Sequence, residues 1–186
     1  MDQLIPLSSN HLHLLIHPNP GASHLLLDLA ASLCQRGALT VLDGGNCFNI
    51  YTVAQALRRR GANARLSLGR IQVARAFTCY QMAALICQAS AEASTEAPAP
   101  EITTPLMVLD FLNTFQDENV SLGERKRLLR SCLPALRQRC QMAPILISIR
   151  KEVPEFMEML IEAADDIWRA EALPQPPIQM TLGIEF

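Results

Sequence analysis

His13-Leu14-Leu15-Ile16-His17-Pro18-Asn19-Pro20-Gly21-Ala22-Ser23-His24-Leu25-Leu26-Leu27-Asp28-Leu29 changes rhythm in its middle. Residues 11–16 are a short apolar run that stops at a Pro/Gly turn, which predicts a buried strand. Beyond the turn, Leu25, Leu26, Leu27, Leu29, Ala30 and Leu33 cover most of a helical circumference. That predicts a helix over 22–36 buried on several sides, with Gly37 as its left-handed stop. Strand, tight loop and helix then recur down the chain. Residues 38–43 read as a second strand ending on Gly44-Gly45, followed by a helix over 49–60 that stops at Gly61. A third strand falls at 71–75 and a helix at 78–88. Pro105–Leu112 is a fourth strand carrying Asp110 at its end, and Pro144–Ile149 is a fifth. Pro154 suits the first position of another helix, with Phe156, Met159 and Leu160 as its apolar face.

This alternation predicts one α/β domain over residues 1–186, in three layers, with a mostly parallel central sheet and helices on both faces. Ligands of such sheets sit at the carboxyl ends of the strands. Three places converge there: the 18–25 loop, Asp43-Gly44-Gly45 and Asp110. Three further local expectations follow. Ser121-Leu-Gly-Glu124 has the form of a capping box, and Pro134 should kink or split the helix it starts. Residues 89–104 are small, polar and proline-containing, which predicts a flexible surface linker. Residues 166–171 and 178–186 alternate as a closing hairpin around Leu173–Pro177 does.

The 186 residues are 49% hydrophobic and 18% charged, enough apolar content for a sizeable core. A formal net charge of −2 gives no global basic field for nucleic acid. No apolar run reaches the length of a membrane span, and the first residues lack a signal peptide's basic start and apolar core. The expectation is a cytoplasmic protein without membrane contact. Cys34, Cys47, Cys79, Cys87, Cys132 and Cys140 form no C-x-x-C pair, which predicts reduced, mostly buried thiols rather than a metal site.

The 13–29 segment has the layout of a phosphate-binding loop, whose chemistry needs G-x-x-x-x-G-K-[ST]. The glycines bend the backbone around phosphate, Lys reaches the β/γ-phosphates and the hydroxyl holds Mg²⁺. Here those places hold Pro18, Ser23, His24 and Leu25, and the first lysine of the chain is Lys126. Amides at a helix N-terminus still attract an anion without lysine, but Pro18 and Pro20 remove two donors.

Several stretches resemble the RecA-like ATPase core, in particular the recombinases of archaea and eukaryotes and their paralogs. Pro20–Ala30 resembles the phosphate loop and its helix, and Val41–Asn49 the second strand and its loop. Arg70-Ile-Gln-Val-Ala-Arg-Ala-Phe-Thr-Cys-Tyr-Gln81 resembles a strand-to-helix junction of these recombinases. Leu106–Asp110 fits the Walker B strand, and Ala163–Glu171 a late strand. The resemblance implies a RecA-like core in which Asp110 would hold Mg²⁺ through water. An active member would carry Lys at 24, Ser or Thr at 25 and a water-polarising acid near 45, where this chain has His24, Leu25 and Gly45. The resemblance therefore implies a non-catalytic paralog, an accessory or assembly partner in DNA recombination or repair. Its partner would be another RecA-like protein or a repair factor. Gly21, Ala22, Ser23, His24 and Asp110 are then vestigial nucleotide positions, with no catalytic residue, no metal and no ATP/Mg²⁺ cofactor expected.

Each candidate has a plainer reading. Asp110 also fits an acid capping nearby amides, and His24 a neutral solvent-facing ring. His11, His13 and His17 read as incidental surface histidines more readily than as zinc ligands. Arg58, Arg59, Arg60, Arg150 and Lys151 are candidate nucleic-acid contacts, of which any would be weak. A second basic group is Arg125, Lys126, Arg127 and Arg130. Solvated helix faces explain both groups, and aromatic residues are 5% of the chain, too few for a base-stacking platform. Three alternatives stay open at this point: a nucleotide sensor without hydrolysis, a hydrolase completed by a partner's Lys or Arg, and a scaffold domain unrelated to DNA.

Overall fold

In the computed structural model, which describes residues 7, 8, 10–18, 20–95 and 104–170, apolar alternation sorts the strands between two helical layers. Strands β1 (Leu12–Ile16), β2 (Leu39–Asp43), β3 (Ile71–Arg75), β4 (Leu106–Leu109), β5 (Ile145–Ile149) and β6 (Asp166–Arg169) form one sheet. Its order is β3-β2-β4-β5-β1-β6, and every pairing is parallel. Leu12, Leu14, Ile16, Leu106, Val108, Ile145 and Ile147 point into one core. Leu15, Leu39, Val41, Met107, Leu109 and Leu146 point into the other. A sheet covered on both faces has no reason to alternate polar with apolar, which is why β1, β4 and β5 are buried at every position.

Helices α1 (Pro20–Arg36), α2 (Ile50–Arg59) and α3 (Ala64–Leu68) cover one face. Helices α4 (Cys79–Thr95), α5 (Leu122–Cys140) and α6 (Pro154–Ala163) cover the other. The predicted three-layer parallel α/β architecture is thus observed, and it is consistent with a RecA-like α/β fold. No helix among the described residues is long and apolar enough to cross a membrane.

Several local expectations need correction. Helix α1 begins at Pro20 rather than 22, because proline's fixed φ and missing N–H suit a first helical position. Helix α4 runs to Thr95, so residues 89–95 are helical rather than linker. Ala89 and Ser90 are buried there, and the Ser90 hydroxyl donates to Ala135 O of α5 at 2.9 Å. Small residues that read as linker are the ones that let two helices approach. Residues 96–103 lie outside the described residues, as do 171–186, which hold the second half of the expected hairpin. Its first half is β6, paired parallel to β1.

Pro134 does not split α5, which continues as one helix on both sides of it, with Leu129, Cys132 and Leu136 fully buried around the missing bond. The Ser121 cap forms on Glu124 N at 3.3 Å, but the Glu124 carboxylate turns to Arg127 at 2.6 and 2.8 Å. Two elements were not foreseen: α3 and a 3₁₀ turn over Phe111–Phe115.

Candidate functional site

The chain leaves β2 toward the α1–α3 layer and leaves β4 toward the α4–α6 layer, and β2 and β4 are neighbours. Such a divergence opens a crevice at the carboxyl ends of the strands, the usual ligand position in open parallel sheets. Asp43-Gly44-Gly45 leaves β2 on one side of it, and Asp110 leaves β4 on the other.

Asp43 is fully buried and spends its carboxylate on its own loop. It accepts from Cys47 N at 3.0 Å and Phe48 N at 2.9 Å. Arg75 of β3 reaches the same carboxylate at 3.4 Å and donates to Phe48 O at 3.3 Å. Burial, and then the Asp43 charge, push the Cys47 thiol up to about 12, so it stays protonated. The loop bends through Asn46 at φ 50°, which asparagine tolerates.

Asp110 is buried and held at φ 49°, ψ 50°, in the left-handed region. Its N–H donates to Ser148 Oγ on β5 at 3.1 Å. Its Oδ2 receives Arg150 Nε at 2.7 Å and also Arg150 Nη2, a two-pronged pair, while Arg150 N donates to Oδ1 at 3.3 Å. That hydrogen bonding raises the Arg150 pKa above its ordinary value. Asp110 therefore faces a guanidinium, not an open position for a cation.

Gly45 lies directly against this pair. A Cβ built there would meet Asp110 Oδ2, would lie 2.6 Å from Asp110 Cβ and 2.9 Å from Arg150 Nη2. At Gly44 a Cβ would meet Met82 Cε at 2.8 Å and Asp110 O at 3.0 Å. The crevice is sewn further by Gly44 N donating to Leu109 O at 2.8 Å and Asn113 Nδ2 to Gly44 O at 2.9 Å. The space that a side chain at position 45 would need is filled by Asp110 and Arg150.

The phosphate-loop positions fall elsewhere than the loop reading implied. Gly21, Ala22, Ser23 and His24 lie in the first turns of α1, so only residues 17–19 connect β1 to the helix. His24 is exposed, and Leu25 is half exposed. So short a connection leaves little backbone to wrap a triphosphate.

Two of the three histidines are not on the surface as read from sequence, while His11 is partly exposed. His13 and His17 are buried, since β1 is central and covered on both faces. His13 stacks on Trp168 with centroids 4.7 Å apart, and its Nε2 accepts from Ser8 N at 3.1 Å. Its Nδ1 is 3.0 Å from Asp166 Oδ2 without hydrogen-bond geometry, whereas His11 Nδ1 bonds the same oxygen at 2.8 Å. Burial lowers the His13 pKa, keeping the ring neutral. Asp166 is the carboxylate that sequence alone did not join to these rings. Among the described residues no group of three His, Cys, Asp or Glu is placed to hold a metal ion.

The candidate nucleic-acid contacts are scattered. Arg58, Arg59 and Arg60 end α2 on the α1–α3 layer, whereas Arg150 and Lys151 follow β5. Arg59 pairs with Asp28 at 3.3 Å, and Arg60 donates to Asp28 O at 3.1 Å and to Ser32 Oγ. Both tie α2 to α1 while remaining exposed. Lys151 is exposed beside the engaged Arg150. Sequence reasoning missed Arg150 as the partner of Asp110, and Ser148 as its amide acceptor. The signal for the first was an Arg immediately after β5, the strand adjacent to β4.

No family model matches this chain, and no curated protein matches it.

Proposed function

We propose that this chain is a non-catalytic RecA-like protein that acts in DNA recombination or repair by assembling with other proteins, not by turning over ATP. The observation carrying the non-catalytic part is the Asp110–Arg150 pair packed against Gly45. A Walker-type aspartate serves a metal only while its oxygens are free, and here both accept hydrogen bonds from Arg150. His24 and Leu25 supply neither the lysine charge nor the magnesium-binding hydroxyl. The assignment to recombination rests on the resemblance of the 20–30, 41–49, 70–81 and 106–110 stretches to recombinase cores, and the partner it implies is another RecA-like protein or a repair factor.

The test has two arms on the full chain. ATP turnover and melting are measured with millimolar Mg·ATP, and in-cell crosslinking is followed by identification of the captured proteins. The reading expects no turnover, no rise in melting temperature, and capture of a DNA-processing protein. Turnover that Asp110→Asn abolishes would defeat the non-catalytic claim. Ligand-dependent melting without turnover would favour a nucleotide sensor, since binding to the native state must stabilise it. Capture of a metabolic enzyme alone would defeat the repair assignment.

A further inference from the structure

Helices α4 and α5 lie side by side on one face of the sheet and run in the same direction, because α4 joins β3 to β4 and α5 joins β4 to β5 among parallel strands. Their register is fixed at two places. Ser90 Oγ donates to Ala135 O at 2.9 Å. Near the first turns, Arg127 and then Tyr80 hold the Glu124 carboxyl below its ordinary value, which sets Tyr80 beside α5. Residue 90 thus meets 135 and residue 80 meets 124, offsets of 45 and 44. The same offset of 45 carries Cys87 to Cys132, one helical turn before the Ser90 contact.

The helices meet through small residues. Ala83, Cys87 and Ser90 follow at spacings of four and three and share one flank of α4, while Cys132 and Ala135, three apart, share a flank of α5. A serine hydroxyl stands only two bonds from Cα, so its reach to a carbonyl of the other helix brings the two axes to about 8 Å. At that spacing, level residues on the meeting flanks lie about 6–7 Å apart at Cα, a gap that a disulfide spans.

The two thiols differ in access. Cys87 is exposed and Cys132 is buried. Burial, and then the neighbouring Cys87, push the Cys132 thiol up to about 12. One thiol acts electrostatically on another only when the two are near. Among the six cysteines no other pair is so placed. Cys79 precedes Cys87 by eight residues and Cys140 follows Cys132 by eight, which is about 12 Å along each helix. Cys34 and Cys47 belong to the opposite side of the sheet.

We infer that Cys87 and Cys132 form a peroxide-responsive thiol pair whose disulfide locks α4 to α5. The exposed Cys87 thiolate attacks the terminal oxygen of a hydroperoxide. The O–O bond breaks, the remaining alkoxide or hydroxide takes up a proton and leaves, and Cys87 becomes a sulfenic acid. Cys132 then gives up its proton, its sulfur attacks the Cys87 sulfur, and the hydroxyl departs with a proton as water. Two thiols lose two electrons and one peroxide gains them. The high pKa of Cys132 leaves it inert toward the oxidant itself, so it acts only on a sulfenic acid held against it. The bond closes a loop over residues 88–131, the stretch that carries β4 and Asp110. A thiol reductant reverses the step, which makes the pair a switch. The chemistry is independent of any nucleotide and of the repair assignment.

The test treats the full, reduced chain with equimolar hydrogen peroxide under native conditions. Thiols are then counted, and the linked peptides are assigned by tandem mass spectrometry. The wild type should lose two of its six thiols, yield an intramolecular Cys87–Cys132 link and regain both thiols with dithiothreitol. The oxidised form should melt at least about 5 °C higher, since the link restricts the unfolded chain. Cys87→Ser, at an exposed position, should give neither link nor shift. Cys132→Ala should stop at a Cys87 sulfenic acid that dimedone captures. Should Cys132→Ala not fold by circular dichroism, Cys87→Ser alone must abolish both the link and the melting shift. Wild-type Cys87 that ends as a sulfinic acid while Cys132 stays free overturns the inference. So does a link from Cys87 to any other cysteine or to a second chain, and so does a link that leaves the melting temperature unchanged.

Discussion

Gly45→Ala is the most direct probe of the closed crevice. The added methyl would lie 2.6 Å from Asp110 Cβ and 2.9 Å from Arg150 Nη2, well inside van der Waals contact. Neither neighbour yields easily, since Asp110 is buried at φ 49° and bound to Arg150 and Ser148. Overpacking of this kind costs about 1–3 kcal/mol. Removing glycine's freedom from the unfolded chain returns about 0.4–1 kcal/mol. The net expectation is a loss of about 1–2 kcal/mol in urea unfolding followed by circular dichroism. Asp110→Gly removes the atoms that the methyl meets and suits the left-handed backbone, although it leaves Arg150 without its carboxylate. In that background Gly45→Ala should cost almost nothing, giving a coupling of about 1–2 kcal/mol across the four proteins. If Gly45→Ala costs less than about 0.5 kcal/mol, or if the two changes add within about 0.5 kcal/mol, the described contact does not govern the site.

Asp43→Ala should cost about 2–4 kcal/mol because it strands the Cys47 and Phe48 amides; Asp43→Asn should recover part of it, and a loss below about 1 kcal/mol would be inconsistent with an organising role. Arg139 is buried and donates to Ala89 O and Thr104 O, both at 2.9 Å, tying the body of α4 to the approach to β4. Arg139→Leu should therefore lower stability by about 2–4 kcal/mol, and an unchanged urea midpoint would contradict the clamp. Burial pushes the Cys132 thiol from an ordinary 9.0 up to about 12. The native state thus holds a proton that the unfolded chain releases above pH 9.0, so stability is full below that pH and falls toward pH 12. The slope from this thiol approaches about 1.4 kcal/mol per pH unit. Cys132→Ala should lower stability at pH 8 through its cavity and flatten the decline above pH 9; an unchanged slope would refute the assignment. Thiol labelling at pH 8 should modify exposed Cys87 before the buried Cys34, Cys79, Cys132 and Cys140, and early loss of any buried thiol would count against the packing.

The sheet was legible because burial on two faces writes itself as uninterrupted apolar runs, and Leu12–Ile16, Leu106–Leu109 and Ile145–Ile149 each fall within such a run. Strand order was not legible, since no local rule places β5 between β1 and β4. For the same reason the Arg150 partnership stayed hidden: residues 110 and 150 are forty positions apart and meet only through that order. The boundaries that failed did so where one composition serves two purposes. Ala89 and Ser90 look like linker until α5 supplies a surface that needs small residues. His13 looks like a surface residue until Trp168, far along the chain, provides a ring to stack on. That position 45 carries no acid is legible in the sequence, but the reason a side chain is excluded is visible only beside Asp110.

The absence of a side chain at position 45 and the engagement of Asp110 by Arg150 are one physical arrangement rather than two. An acid at 45 needs the volume that Asp110 Cβ and the Arg150 guanidinium now fill, so the two arrangements exclude each other by sterics alone. They exclude each other by charge as well. A glutamate at 45 would set a second carboxylate beside Asp110, and like charges at that distance need a cation between them or a proton on one of them. A hydrated Mg²⁺ is one such cation, and Arg150 is another that the chain carries itself. With the guanidinium in place, a glycine at 45 leaves Asp110 neutralised and close-packed without any ligand. An acid at 45 alone therefore makes no metal site: Gly45→Glu should destabilise the fold more than Gly45→Ala, and Gly45→Glu/Arg150→Ala should regain stability specifically on addition of Mg²⁺. If millimolar Mg²⁺ leaves the melting temperature of that double variant where calcium-free, magnesium-free buffer puts it, carboxylates at 45 and 110 do not hold a cation between them.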